Sequence, residues 1–295
     1  VHSLSSAHGY GLRDLMDRVL EGLAEERETE TDAGNIRVAV VGKPNAGKSS
    51  LINRILGHDR LVVSEIPGTT RDAVDTPFTY GGRNYTLVDT AGIRRKARVS
   101  EKIDKFSMIK AIKSLDGCHV ATVIVDAVEG ITDQDARICG YAFERGKGIV
   151  MVVNKWDLVK GDGHAKKRID DGIETQLKYL SFAPRINMSA LTGEKVMRIF
   201  SVVNTVYDQM SIRIGTGVLN RVVQRVITKH APPRKGRTGL KFYYATQTKT
   251  LPPTFSLFVN NPELVHFSYA RFITNQLREE CGFKNSPLRL FFKKR

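Results

Sequence analysis

The octapeptide Gly42-Lys43-Pro44-Asn45-Ala46-Gly47-Lys48-Ser49 constrains this chain more than any other feature. It lies between strand-like Arg37–Val41 and helix-like Ser50–Leu56. A strand, a Gly-rich turn ending in Lys-Ser and a helix make up the phosphate-binding P-loop pattern. The glycines let backbone N–H groups close on phosphate, Lys48 reaches the β and γ oxygens, and Ser49 offers a hydroxyl to Mg²⁺. A turn that only linked a strand to a helix would need neither Lys48 nor Ser49. The motif therefore predicts a nucleoside triphosphatase on an α/β sheet that is mostly parallel.

The base is selected further along. Asn154-Lys155-Trp156-Asp157 follows the continuous apolar run Ile149–Val153, which reads as a buried parallel strand. The Asp157 carboxylate can accept from both N1–H and the 2-amino group of guanine. Adenine lacks that donor pair and would leave a charged acceptor unpaired, so GTP is favoured over ATP. Ser189-Ala190-Leu191, after strand-like Arg185–Met188, fits a loop that closes over the base through backbone N–H contacts.

Between these motifs lies Asp89-Thr90-Ala91-Gly92, at the end of strand-like Tyr85–Val88. Asp89 is expected to hold Mg²⁺ through water, and the Gly92 N–H to meet the γ-phosphate. Upstream, Pro67-Gly68-Thr69-Thr70-Arg71-Asp72 supplies a threonine for the Mg²⁺ shell; Thr70 is the expected ligand, although sequence alone does not separate it from Thr69. Ile93 occupies the position after Gly92, and its side chain cannot orient a water.

These four motifs, the Gly-Thr-Thr-Arg-Asp segment and the run Asp89–Lys96 (DTAGIRRK) resemble the EngA/Der family of bacterial ribosome-assembly GTPases. The resemblance implies two tandem G domains and a C-terminal KH-like domain in the complete protein. This chain would hold the second G domain, the KH-like domain and a remnant of the first G domain. It further implies GTP and GDP as ligands, Mg²⁺ at Ser49, Thr70 and Asp89, and a maturing large ribosomal subunit and its rRNA as partners. Asn45, Lys48, Thr70 and Gly92 become the expected catalytic residues. Related GTPases with Asn at the position of Asn45 use it to hold K⁺ beside the phosphates. Such a cation would offset transition-state charge, as an arginine finger does.

An internal repeat supports the remnant. Ser5-Ser6-Ala7-His8-Gly9-Tyr10-Gly11 precedes a stripe of Leu12, Leu15, Met16, Val19, Leu20 and Leu23, much as Ser189–Gly193 precedes Val196, Ile199, Phe200 and Val203. Residues 1–28 are thus read as the tail of a first G domain, 29–35 as a linker, 36–210 as the G domain and 211–295 as the KH-like domain. No apolar stretch is long enough to span a bilayer, so no membrane partner is expected. Cys118, Cys139 and Cys281 show no metal-ligand spacing, which fits buried thiols in a reducing cytoplasm.

Charge separates the two halves. Of the net charge of +15, the segment from Ser211 onward carries sixteen Lys/Arg against three acids. A basic domain on a nearly neutral one is the electrostatic footprint of nucleic-acid binding. Its elements read as a helix with Val218, Leu219, Val222, Val223 and Val226 inward, a loop at Ala231–Gly239, and strands Leu240–Ala245 and Thr254–Val259. A turn at Asn260-Asn261-Pro262, a helix Ser268–Cys281 and a strand Leu288–Phe292 complete a smaller α+β, KH-like unit. Leu240, Phe242 and Tyr244 are expected to alternate inward. Tyr243, Tyr244 and Phe255 could stack on bases, but strand aromatics more often belong to a core. Gly236-Arg237-Thr238-Gly239 has the letters of the RNA-gripping Gly-x-x-Gly loop yet falls between a helix and a strand, so that role is not assigned.

Other classes stay open at this level: a binding module whose nucleotide only locks a conformation, or a GTPase of the related Era or MnmE type.

Overall fold

The computed structural model describes residues 34–58, 61–63, 75–90, 104–232, 234–235 and 238–295. Residues 1–33, which include the proposed remnant, lie outside this set, as do Thr70, Ala91, Gly92 and Ile93.

The first part is built on strands β1 (Asn35–Gly42), β2 (Val62–Val63), β3 (Thr76–Tyr80), β4 (Arg83–Val88), β5 (Val120–Asp126), β6 (Gly148–Asn154) and β7 (Arg185–Asn187). They form one sheet in the order β2-β3-β4-β1-β5-β6-β7. β1, β5, β6 and β7 run parallel, and β2, β3 and β4 pair antiparallel at one side. β5 and β6 are buried at every position, which explains their predominantly apolar sequence: helices cover both sheet faces.

One face carries α1 (Lys48–Leu56) and α5 (Arg198–Ser211), whose Leu51, Ile52, Ile55, Phe200, Val203 and Val206 pack on Val120, Ile124, Val150 and Val152. The other carries α2 (Asp104–Asp116) and α3 (Asp133–Glu144), with Leu115, Ile138, Cys139 and Ala142 on Ala121, Val123, Ile149 and Met151. Successive strand residues alternate between the two clusters, as a period of two requires. α3 starts with a capping box, the Thr132 hydroxyl accepting from Asp135 N–H and the Asp135 carboxylate accepting from Thr132 N–H. α4 (Gly163–Gln176) starts on Asp162, whose carboxylate accepts from His164 and Ala165 N–H.

The second part comprises α6 (Thr216–Lys229), the short pair β8 (Arg234–Lys235) and β9 (Thr238–Gly239), β10 (Phe242–Lys249), β11 (Thr254–Val259), α7 (Phe267–Glu280) and β12 (Arg289–Lys294). β10 pairs antiparallel with β11, and β11 parallel with β12. Leu219, Val222, Val223 and Val226 of α6 and Tyr269, Ile273 and Leu277 of α7 close on Ala245, Phe255, Leu257 and Val259. The α-β-β-α-β order agrees with the sequence reading, with the β8–β9 pair added where a loop was expected.

Two inward assignments are corrected. Val218 is 49% exposed, because it stands one position off the stripe that begins at Leu219. Tyr244 is 43% exposed, because a bulge between Phe242 and Tyr244 resets the alternation and turns Ala245 and Gln247 inward. Leu240 is buried but precedes the strand. Phe255 is core, whereas Tyr243 and Tyr244 lie on the surface.

The two parts meet along a defined seam. Arg278 of α7 lies 4.6 Å from the Phe182 ring centre, and Asn285 binds Gln209 and the Phe182 carbonyl. Arg289 donates to the Glu144 carbonyl at 2.6 Å. Gly146 has φ +68, and a Cβ there would meet Pro252 at 2.6 Å. The connection between α5 and α6 is held by Gln247, which accepts from Ile214 N–H and donates to the Ile212 carbonyl.

Cys118 and Cys139 are buried and their thiols are pushed up to about 12 by burial; half-buried Cys281 is pushed up to about 11 for the same reason. They are packing residues, as expected. Among the described residues no helix is long and apolar enough to cross a membrane.

Candidate guanine-nucleotide site

The P-loop joins β1 to α1, and two glycines allow its close approach to the sheet. A Cβ on Gly42 would lie 2.4 Å from the Ile124 carbonyl oxygen. Gly47, at φ +99, would place one 2.1 Å from Asn154 Nδ2. Both are conditions only glycine meets without a shift. Asn45 also adopts a left-handed conformation, φ +61, and is exposed at the loop surface beside Pro44. Ala46 is buried beneath the loop.

Lys48 and Ser49 open α1, so their side chains leave the helix at its N-terminal, anion-attracting end. Lys48 Nζ donates to the Lys43 carbonyl at 2.5 Å, arching across the loop it belongs to. Lys43 is directed elsewhere. Its side chain is buried, donates to Glu129 at 2.6 Å and lies 4.0 Å from the Asp135 carboxylate. Burial raises the Asp135 pKa in spite of its Thr132 bonds and the nearby Lys43. The Lys43 side chain is thus a tie to the loop after β5, and only its backbone remains for phosphate.

Asn154 is the centre of the base side. It is 2% exposed, donates to the Ala46 carbonyl at 2.8 Å and accepts from Ala190 N–H at 2.9 Å. One side chain therefore fastens the P-loop to the 189–191 loop. In this structure the Ala190 N–H, one of the loop groups offered to the base on sequence grounds, is given to Asn154. Ser189 is buried and accepts from Thr192 N–H, while Leu191 stands 76% exposed. Arg54 of α1 donates to the Ala190 and Leu191 carbonyls, a second bond across the same gap.

Lys155 has φ +60, and its ammonium meets Asp126 at 2.6 Å. Register places Asp126 directly beside Asn154 on neighbouring strands. Burial works upward on the Asp126 pKa, but the Lys155 bond and the Val128 N–H outweigh it, so the carboxyl sits below its ordinary value. Trp156 packs on Val153, Val159 and Ile169 and opens the short 3₁₀ turn that carries Asp157. Asp157 Oδ1 is buried and has no hydrogen-bond partner among the described residues. A buried carboxylate oxygen left unmet is costly unless a ligand donor completes it, and paired N–H donors on a guanine edge would do so.

Asp89 follows β4 at φ +55. Its N–H donates to Asp75 at 3.1 Å and its carboxylate accepts from Ser114 of α2 at 3.3 Å. Thr90 is buried and its hydroxyl meets that of Thr76 at 2.8 Å. Among the described residues there is no cluster of three or more His, Cys, Asp or Glu able to hold a metal. The oxygen donors Ser49 and Asp89, completed by phosphate and water, are of the hard type that suits Mg²⁺.

Sequence reasoning missed Asp126, Glu129, Asp135, Arg54, Asp75 and Ser114. Asp126 had a readable signal, a carboxylate closing an apolar strand; the others are surface-type residues whose partners only folding supplies.

On the second part, Arg213, Arg221, Lys241, Lys249, Lys293, Lys294 and Arg295 are exposed. Register aligns Tyr244, Phe258 and Lys293 across the sheet, with Tyr244 stacked on Phe258 at 4.2 Å. Phe291 is exposed nearby, and Arg295 lies 4.8 Å from the Tyr243 ring centre.

The Asp126–Lys155 pair predicts a pH dependence. A carboxyl whose folded pKa is depressed adds stability above its unfolded value, about 4, and loses it as pH falls through the lower folded value. Acid unfolding of the parent should therefore steepen below about pH 4. Asp126→Asn should flatten that part of the profile in chemical-denaturation measurements; an unchanged slope would remove the pair from the account.

The chain was then compared with known proteins. A family described as 50S ribosome-binding GTPase matches residues 37–155, and one described as KH-domain-like of EngA bacterial GTPase enzymes, C-terminal, matches residues 213–293. GTPase Der of Caldanaerobacter subterraneus subsp. tengcongensis is 47% identical over 292 residues, covering 99% of this chain and 66% of that protein. GTPase Der of Syntrophobacter fumaroxidans is 46% identical over 300 residues, covering 100% of this chain and 67% of that protein. The chain thus spans about two thirds of the length of these relatives. A solved Era chain, in complex with MgGDPNP and nucleotides 1506–1542 of 16S ribosomal RNA, matches at 20% identity and a TM-score of 0.43, covering 89% of this chain and 94% of that one. With its P-loop GTPase domain followed by an EngA-type KH-like domain, this chain belongs to the GTPase Der family.

Proposed function

We propose that the chain is a GTP-hydrolysing switch that acts in cytoplasmic ribosome biogenesis, on a precursor of the large subunit. The observation that carries the nucleotide assignment is the unmet Asp157 oxygen beside the Asn154 crosspiece, below a loop shaped for phosphate. In this reading the backbone of residues 42–47 cradles the phosphates and Lys48 exchanges the Lys43 carbonyl for β and γ oxygens. Asp157 receives the guanine edge, with Ser189-Ala190-Leu191 behind it. Ser49, Thr70 and Asp89 hold Mg²⁺, which when bound neutralises charge between the β- and γ-phosphates. Ala91, Gly92 and Ile93 complete the γ-phosphate side. The domain division at 28, 35 and 210, and a first G domain preceding this segment in the complete protein, belong to the same proposal.

Asp157→Asn should weaken GTP binding by about 10-fold to 100-fold, the loss expected when a charged hydrogen bond is removed, and favour xanthosine triphosphate. Titration with the two nucleotides checks this. An unchanged preference for GTP would remove Asp157 from recognition.

Hydrolysis without a water-orienting glutamine after Gly92 needs other help, and added positive charge at the transition state would supply it. Asn45, exposed and left-handed on the loop, is the candidate to hold K⁺ in this reading. GTP turnover should be faster in K⁺ than in Na⁺ at equal ionic strength, and Asn45→Ala should lose most of the difference. Equal parent rates in the two salts would sink this role.

RNA is assigned to the basic second part. Tyr244 and Phe291 with Lys293 offer stacking surface and phosphate contact on one sheet face. Binding to rRNA should fall linearly in log–log form with salt, and Lys293→Ala should reduce the slope by about 1 if this lysine neutralises one phosphate. A slope unchanged in the variant would move the interface elsewhere.

A further inference from the structure

The Asp89 conformation points beyond nucleotide recognition. A non-glycine residue at φ +55 sits in a sparsely populated region and persists only where its surroundings hold it. Here two groups outside the phosphate loop hold it. Asp75, just before β3, accepts the Asp89 N–H on Oδ1 at 3.1 Å, and its Oδ2 meets the Arg37 guanidinium at 2.7 Å. Arg37 is itself fixed, its Nε donating to the Gly117 carbonyl at 2.7 Å. At the other end of the residue, the Asp89 carboxylate accepts from the Ser114 hydroxyl, and Ser114 is buried in the last turn of α2.

Asp75 is also the described residue that follows the threonine-bearing segment 64–74, while Asp89 opens the Asp-Thr-Ala-Gly segment. A carboxylate shared between a backbone N–H and an arginine thus ties the residue just before β3 to the residue just after β4.

We infer that Asp75, braced by Arg37, and Ser114 are positioning residues for Asp89. Together they clasp it in a conformation that turns its carboxylate onto α2, and Mg²⁺ with a nucleoside triphosphate recruits Asp89 only by opening that clasp. GDP bound without Mg²⁺ makes no such demand. The clasp thus sets how much Mg²⁺ the triphosphate state requires. This inference rests on the reading of Asp89 as a Mg²⁺ ligand.

The bland account is that Asp75 and Ser114 merely anchor the β3–β4 hairpin and α2. It predicts that removing either weakens every nucleotide alike through lost stability. The clasp predicts a selective change of opposite sign.

The test uses the full chain, a fluorescent GDP and a non-hydrolysable GTP analogue, each titrated with Mg²⁺. Asp75→Ala and Ser114→Ala should lower the Mg²⁺ midpoint for the GTP analogue by about threefold to tenfold, the scale of one net hydrogen bond. Affinity for GDP without Mg²⁺ should stay at the parent value, and Ser114→Thr, which keeps the hydroxyl, should restore the parent midpoint. In the nucleotide-free chain, hydrogen exchange at the Asp89 amide should speed up in Asp75→Ala. Ser114→Ala stands as the independent variant should Asp75→Ala fold poorly. An unmoved or raised midpoint in Ser114→Ala, or equal weakening of both nucleotides, would overturn the clasp while leaving Mg²⁺-dependent binding by the parent intact. A parent with no Mg²⁺-dependent binding would overturn both readings together.

Discussion

The Asn154 side chain carries the geometry on which the rest of the site depends. Its amide donates to the P-loop at Ala46 and its oxygen accepts from the 189–191 loop at Ala190, in a fully buried setting. A buried amide satisfied at both ends has no competing water, so the two loops keep a fixed separation. The requirement for glycine at position 47 follows from this, because Asn154 Nδ2 fills the space a Cβ would take. The same strand end leads directly into the short 3₁₀ turn that carries Asp157.

Around that crosspiece, electrostatics sort the lysines by role. Lys43 and Lys155 are held by Glu129 and Asp126, the first beside buried Asp135 and the second across from Asn154. Both pairings lock loops together. Lys48 is instead bonded to a carbonyl, a neutral acceptor that any anionic oxygen would displace because its bond to an ammonium is charge-assisted. The second part is coupled to this arrangement through the seam. Arg278 and Asn285 grip Phe182, which lies just upstream of β7 and hence of the 189–191 loop. The second part and the 189–191 loop are thus connected through one short stretch of backbone.

Much of the fold was legible because its signals are local. A continuous apolar run marked β6, the P-loop marked the β1–α1 junction, and Thr254–Val259 appears with the boundaries read from its pattern. The errors arose where tertiary context overrode a periodicity. A single-residue bulge turned Tyr244 outward, and the register of α6 against the sheet left Val218 exposed. The β8–β9 pair, each strand two residues long, carries too few residues for any period to show.

By itself the sequence determined the residue types on offer: a P-loop pattern, an aspartate after Asn154-Lys155-Trp156, hard oxygen donors and a basic companion domain. Each depends on residue type and short spacing along the chain. Tertiary structure alone decided which groups act together. Asp75 and Asp89, Lys43 and Asp135, and Asn154 and Ala46 are distant in sequence, and their pairing depends on strand register and loop approach. A carboxylate in the sequence is only a charge. Whether it becomes a ligand, a tie or a clasp is set by which donor the fold places within three ångströms or so of it.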